Sequence, residues 1–182
     1  MEGLNDLSLK NLKFTKTKDK VGEYRKNYVI TSIKTSTQIQ ITLNDVTIPF
    51  GVEKYGSASI LNVEISPKKN NEHYNIHAII NSFESEFTNL DLIKDKVLKT
   101  ELEDKGYYQN MRESKDGYII RTHVLSMPEI YIMMGKFKNI LTISDIKKTK
   151  ANVTLNLSLL WINENNYGII WRIKEIEVLY NY

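Results

Sequence analysis

The chain has 182 residues, 41% of them hydrophobic and 26% charged, with a net charge of +3 and no cysteine. That length supports one domain with a sizeable core, here residues 1–182. The missing cysteine removes disulfides, thiolate zinc sites and thiol nucleophiles. No stretch approaches the roughly 18 apolar residues of a membrane helix, and Met1-Glu-Gly-Leu-Asn-Asp6 lacks both parts of a secretory leader, so a cytoplasmic protein with no membrane association is expected.

Alternating apolar and polar residues predict strands over Leu7–Phe14, Tyr28–Ile33 and Thr37–Leu43, with a basic loop at Lys16–Lys20. Asn44-Asp45 is a turn signal. Ile48-Pro-Phe-Gly51 reads as extended chain, because the residue before a proline avoids the helical region. A strand follows over Ser57–Ser66, broken at Pro67-Lys-Lys-Asn-Asn71.

The period then changes. Ile76, Ile79, Ile80, Phe83, Phe87 and Leu90 recur at helical spacing, so a helix is expected from about Glu72 toward Asp104, with a break at Thr88-Asn89. Beyond Gly106, Tyr118–Val124 is a strand, Glu129–Met134 is ambiguous and Phe137–Ile143 is a short strand. The chain closes on a long hairpin: Val153–Trp161 alternates, Asn163-Glu-Asn-Asn166 supplies the turn, and Tyr167–Val178 returns. The expected class is mainly β (α+β). Its architecture is an oligonucleotide-binding (OB)-fold-like antiparallel β-barrel with an inserted central helix near 72–104, with a β-sandwich as the alternative.

Charge is segregated along the chain. Eight cations lie between Lys10 and Lys34 against Asp19 and Glu23, and five lysines between Lys136 and Lys150 against Asp145. From Glu84 to Asp104 seven acids face three lysines, which reads as a solvated helix face. Such segregation suits an electrostatic face for a polyanion.

No enzyme signature survives inspection. His73 and His77 have the spacing of two metal ligands but no third, and read as ordinary helix surface. His123 beside Arg121 has no triad partners. Gly51 and Gly56 lack the Lys-Ser/Thr ending of a phosphate loop. The expectation is a non-enzymatic protein with no metal and no cofactor.

The aromatics remain. Phe50, Phe83 and Phe87 look like core, whereas Trp161, Tyr167 and Trp171 lie near Arg172 and Lys174 in the closing hairpin. If Ile162 pairs with Tyr167, Trp171 stands opposite Ser158 on the polar side; a slip of one residue would bury it. Rings beside cations suit unpaired bases and their phosphates. The candidate stacking residues are Trp171, Tyr28 and Tyr24. The candidate phosphate-neutralising residues are Arg25, Lys26, Lys34, Arg121, Lys136, Lys138, Lys147, Lys148, Lys150, Arg172 and Lys174.

Thr47-Ile-Pro-Phe-Gly-Val52, the strand after it, the helix and Tyr167-Gly-Ile-Ile-Trp-Arg-Ile-Lys-Glu-Ile-Glu-Val178 together resemble the single-stranded-DNA-binding proteins of large cytoplasmic DNA viruses and cytoplasmic linear plasmids. The order of elements matches over roughly residues 7–180. The resemblance implies non-sequence-specific binding of single-stranded DNA during replication or repair, in a host cytoplasm or viral replication site. Such proteins often end in an acidic tail for partner contacts; the sequence here ends Leu179-Tyr-Asn-Tyr182, so recruitment of partners through such a tail is not expected. RNA as ligand, a homo-oligomer and contacts with replication proteins stay open. The rival reading is a β-rich structural or interaction protein, a virion or scaffold component pairing through its edge strands.

Overall fold

The structure, a computed structural model, describes residues 3–18, 25–124, 128–134, 136–142 and 146–179. Its strands are β1 (Leu12–Lys16), β2 (Lys26–Ser32), β3 (Ile39–Ile48), β4 (Glu53–Tyr55), β5 (Ala58–Ile65), β6 (Gly106–Tyr107), β7 (Met111–Glu113), β8 (Tyr118–His123), β9 (Glu129–Met134), β10 (Phe137–Ile140), β11 (Thr149–Ile162) and β12 (Asn166–Leu179). Between β5 and β6 run helix α1 (Asn71–Glu86), a 3-10 turn at Leu90–Leu92 and helix α2 (Lys96–Leu102).

The twelve strands form one sheet that closes on itself. β11 pairs with β3, β3 with β5, β5 with β8, β8 with β12, and β12 with β11 again. This five-stranded ring is the barrel of an OB-like fold, with a helical excursion inserted between its second and third strands. Two seams are narrow: β3–β5 meets at Thr47↔Glu64 alone, and β8–β12 at Trp171↔Thr122 and Arg172↔His123. One feature departs from the expected antiparallel barrel. β12 runs parallel to β6, β8 and β9, so the sheet is mixed.

Inward-facing residues of the ring fill the core: Ile41, Leu43, Leu61, Val63, Ile120, Val153, Leu155, Leu157, Trp171 and Ile176 are all essentially inaccessible. Burying each large apolar side chain contributes on the order of 1.5–3 kcal/mol. The helices start where capping chemistry dictates. The Asn70 Oδ1 accepts from the N–H groups of Glu72 and His73, and the Asp95 Oδ1 from those of Val97 and Leu98. Ile76, Ile80, Phe83 and Phe87 bury one face of the excursion, with Leu98 and Leu102 from α2.

Several local expectations change. Phe83 and Phe87 are core as expected, but Phe50 is 45% exposed. Asn44-Asp45 does not end its strand: β3 continues through it with Asp45 at φ 50, opposite a register shift between Ala151 and Val153. A turn-forming pair is here used as a bulge. His73 is buried, not surface. Its Nδ1 accepts from Ser66 N–H at 3.0 Å, so Nε2 carries the proton and donates to Asn44 O at 2.7 Å. Among the described residues no helix is long and apolar enough to cross a membrane, and no group of three or more His, Asp or Glu is placed to hold a metal.

Candidate nucleic-acid interface

The outer face of the barrel around β8, β11 and β12 gathers the chain's scarcest cation. The sequence has 21 lysines but only four arginines: Arg25, Arg112, Arg121 and Arg172. Ladder parity puts Arg121 and Arg172 there, and ring contacts bring Arg25 and Arg112 beside them. On β8, Ile120 and Thr122 point inward, so Arg121 and His123 point out. Arg172 pairs with His123 across the parallel seam and with Asn156 on β11, and so shares that face. Arg25 precedes β2, and its Nε donates to Asn27 Oδ1 at 3.3 Å.

The rings interleave with these cations. The Arg25 guanidinium lies 5.9 Å from the Trp161 ring centroid, Trp161 5.9 Å from Tyr108, and Arg112 4.6 Å over Tyr108. At the other end Arg121 stands 5.2 Å over Tyr55, which is 57% exposed. The result is a track that reads Arg112, Tyr108, Trp161, Arg25, then the His123 node with Arg172 and Arg121, then Tyr55.

Local structure fixes each member. Tyr55 sits beside a tight β4–β5 turn whose Gly56 takes φ +59, a value that L side chains rarely adopt. Trp161 pairs with Gly168, and a Cβ on Gly168 would lie 2.9 Å from the indole Cζ2. Glycine is therefore what lets the indole lie flat against β12.

The electrostatics are those of an unneutralised site. Among the described residues none of the four arginines makes an ion pair, whereas Lys16, Lys26, Lys99, Lys138 and Lys150 all do. Burial lowers the pKa of both Arg25 and Arg172, though guanidinium groups stay charged at any ordinary pH. Arg172 Nε is buried with no hydrogen-bond partner among the described residues. Burial first, then the charges of Arg121, Arg25 and Arg172, push His123 down to about 4, so it is neutral at pH 7. The face offers forked donors to anionic oxygens, and the exposed rings of Tyr55 and Tyr108 beside half-buried Trp161 to planar groups.

Other expected site residues go elsewhere. Trp171 is completely buried, which corrects its assignment as a stacking residue. Ile162 does pair with Tyr167 as expected, but a bulge at Ser158 shifts the register by one, so Trp171 meets Leu157 inside the barrel. Tyr28 is also corrected: it is 3% exposed, and its hydroxyl donates to Glu101 Oε2 at 2.8 Å. Lys26 joins it on that side, with Nζ 2.9 Å from Glu101 Oε1. Partial burial pushes the Glu101 carboxyl up, but hydrogen bonds from Lys26, Tyr28 and Lys16 outweigh it and leave the pKa below the usual value. Tyr24 lies outside the described residues.

The remaining lysines do not join the track. Lys34 is exposed in the β2–β3 turn, Lys136 in the β9–β10 turn, and Lys147 and Lys148 ahead of β11. Lys138 pairs with Glu129 and lies 3.9 Å over Tyr131. Lys150 pairs with Asp45 at 3.0 Å, and Lys174 Nζ donates to Gln40 Oε1 at 2.7 Å. Sequence reasoning left Trp161, Tyr108, Arg112, Tyr55 and His123 out of the site. The scarcity of arginine among lysines was the available signal, because arginine is the better residue for forked phosphate contacts and ring stacking.

No protein-family model matches the sequence, and no curated protein matches it. Solved structures do. One is a single-stranded DNA-binding protein from bacteriophage Enc34 in complex with ssDNA, with a TM-score of 0.51 and 10% identity over 93% of this chain and 97% of that one. Another is a C-terminal truncation of the Enc34 protein, with a TM-score of 0.49 and 10% identity over 93% and 95%. At that identity the first likeness establishes a shared fold, an OB-like barrel spanning nearly the whole of both chains.

Proposed function

We propose that this chain binds single-stranded DNA without sequence preference, through the arginine–aromatic track, and performs no catalysis. The observation that carries this reading is the convergence of four arginines, none ion-paired among the described residues, with the rings of Tyr55, Tyr108 and Trp161 on one barrel face. Guanidinium groups would neutralise phosphates, and each ring would carry a base at about 1–3 kcal/mol. Every base has a π face, so purine and pyrimidine strands would bind within a small factor of each other. A fold shared with a protein solved on ssDNA supports the reading, and the arginine–aromatic face supplies the chemistry that fold alone does not.

The scattered lysines Lys34, Lys136, Lys147 and Lys148 would add long-range attraction rather than contacts. A role in replication or repair of a viral or plasmid-type genome in the cytoplasm belongs to the same proposal. Self-association and contacts with replication proteins are the partner readings that go with this proposal. Titration of a fluorescent oligo-dT at two salt concentrations, with duplex DNA and oligo-rU as competitors, tests it. Tight binding that weakens steeply with salt and resists duplex supports the reading. Micromolar or weaker binding at low salt with no salt slope removes it in favour of a structural protein.

A further inference from the structure

The inserted helix carries a buried acid that the sequence places on a solvated face. Glu84, near the end of α1, is 2% exposed. Its Oε1 accepts from the Tyr107 hydroxyl at 2.8 Å and from Asn110 N–H at 2.7 Å, and its Oε2 from Met111 N–H at 3.1 Å. No cation faces it among the described residues. Burial pushes its carboxyl up, against the opposing pull of Asn110 N–H, Tyr107 and Met111 N–H. A carboxylate without a counter-charge is expensive to bury, so its three donors are what hold it there.

Those donors belong to one short arm, residues 106–112, between α2 and β8. Its inward members are fastened on several sides. Tyr107 stacks on Phe87 of the helix excursion, with ring centroids 4.8 Å apart and planes within 5°. Asn110 Nδ2 donates to Arg121 O at 3.0 Å, and Tyr108 N–H to Tyr167 O at 2.7 Å. The outward members are Tyr108 and Arg112, which form one end of the arginine–aromatic track. The arm has only two-residue β6 and three-residue β7 as regular structure, too little ladder to hold it in place alone.

We infer that Glu84 is a positioning residue for ligand binding: by gathering Tyr107, Asn110 and Met111 it fixes the arm that presents Tyr108 and Arg112 to the bound strand. This rests on the single-strand reading of the track and assigns the helical insertion a task within it. The inserted helix then sets the reach of the track at its Tyr108 end.

The test is a double-mutant cycle on oligo-dT affinity. Glu84→Gln keeps the volume but replaces one acceptor by an amide donor facing a donor. It should weaken binding about tenfold, on the scale of one lost ring platform. In a Tyr108→Ala/Arg112→Gln background the same change should cost less than about twofold, because the arm then has nothing to present. Hydrogen exchange at the Asn110 and Met111 amides should speed up in Glu84→Gln with no DNA present. If that variant does not fold, Tyr107→Phe, which removes one donor and keeps the ring stack, takes its place in the cycle with a smaller loss.

Equal losses in both backgrounds would overturn the positioning role and leave the track itself standing. So would unchanged exchange at the two amides. If the unmodified chain binds no oligonucleotide, the single-strand reading falls, and the positioning role with it.

Discussion

The two tryptophans of the closing hairpin should separate binding from stability. Trp171 lies wholly inside the barrel against Leu157, while half-buried Trp161 packs on Gly168 with Arg25 over its face. Trp171→Ala removes a large core side chain and leaves a cavity, an expected cost of about 3–5 kcal/mol of stability. Trp161→Ala forfeits part of a ring's burial, about 1–2 kcal/mol. For binding the order reverses. A stacking ring is worth about 1–3 kcal/mol per base, which at about 1.4 kcal/mol per tenfold is a 5- to 150-fold loss of affinity for Trp161→Ala. Trp171→Ala should bind within about threefold of the parent wherever it remains folded. Urea denaturation gives the stabilities, and fluorescence anisotropy with oligo-dT at 10 °C gives the affinities. If Trp171→Ala loses more affinity than Trp161→Ala while keeping its stability, the bulge-shifted register and the choice of face are both wrong.

Three further outcomes are expected. Gly168→Ala puts a methyl 2.9 Å from the Trp161 indole, so it should cost about 1–3 kcal/mol of stability and weaken oligo-dT binding nearly as much as losing the ring; thermal melts and titration read both. Arg121→Gln should lower the slope of log affinity against log salt by about 0.7, one single-strand phosphate, and an unchanged slope would remove Arg121 from the phosphate path. His123 has a folded pKa of about 4 against 6.5 for the free side chain, so between those values the unfolded chain binds more protons. Stability should therefore fall as pH drops from about 6.5 toward 4. His123→Gln should flatten that fall in urea midpoints measured at pH 7, 5.5 and 4.5, and an identical pH profile in the variant would sink the assignment.

Much of the fold is legible in the residues because period and punctuation agree. The helix expected from Glu72 to Asp104 with a break at Thr88-Asn89 is realised as α1, a 3-10 turn and α2, with Asn70 and Asp95 capping the two helices. The closing hairpin turns where Asn163 to Asn166 supply turn chemistry, with Asn163 Oδ1 accepting from Asn165 and Asn166 N–H. What periodicity cannot carry is a bulge. One extra residue at Ser158 sends Trp171 inward; the doublet Leu159-Leu160 breaks the alternation there, but Leu159 and Trp161 keep the old parity apolar, so the pattern does not say which set turns inward. Long-range neighbours are hidden for a related reason. Tyr55, the Tyr108–Arg112 arm and Trp161 come from three separated segments, and only barrel closure brings them together. The basic stretches misled because lysine density along the chain is not charge density on a face: Lys26, Lys138 and Lys150 are taken up by Glu101, Glu129 and Asp45.

The most direct measurement is photocrosslinking. Oligo-dT carrying 5-iodouracil would be irradiated with the full chain and the linked peptides mapped by mass spectrometry. Adducts concentrated at Trp161, Tyr108 and Tyr55, and suppressed by salt, are the expected result. Efficient adducts confined to peptides away from β4, β6, β11 and their flanks would mean that nucleic acid runs over another surface, and the arginine–aromatic track would not be the site.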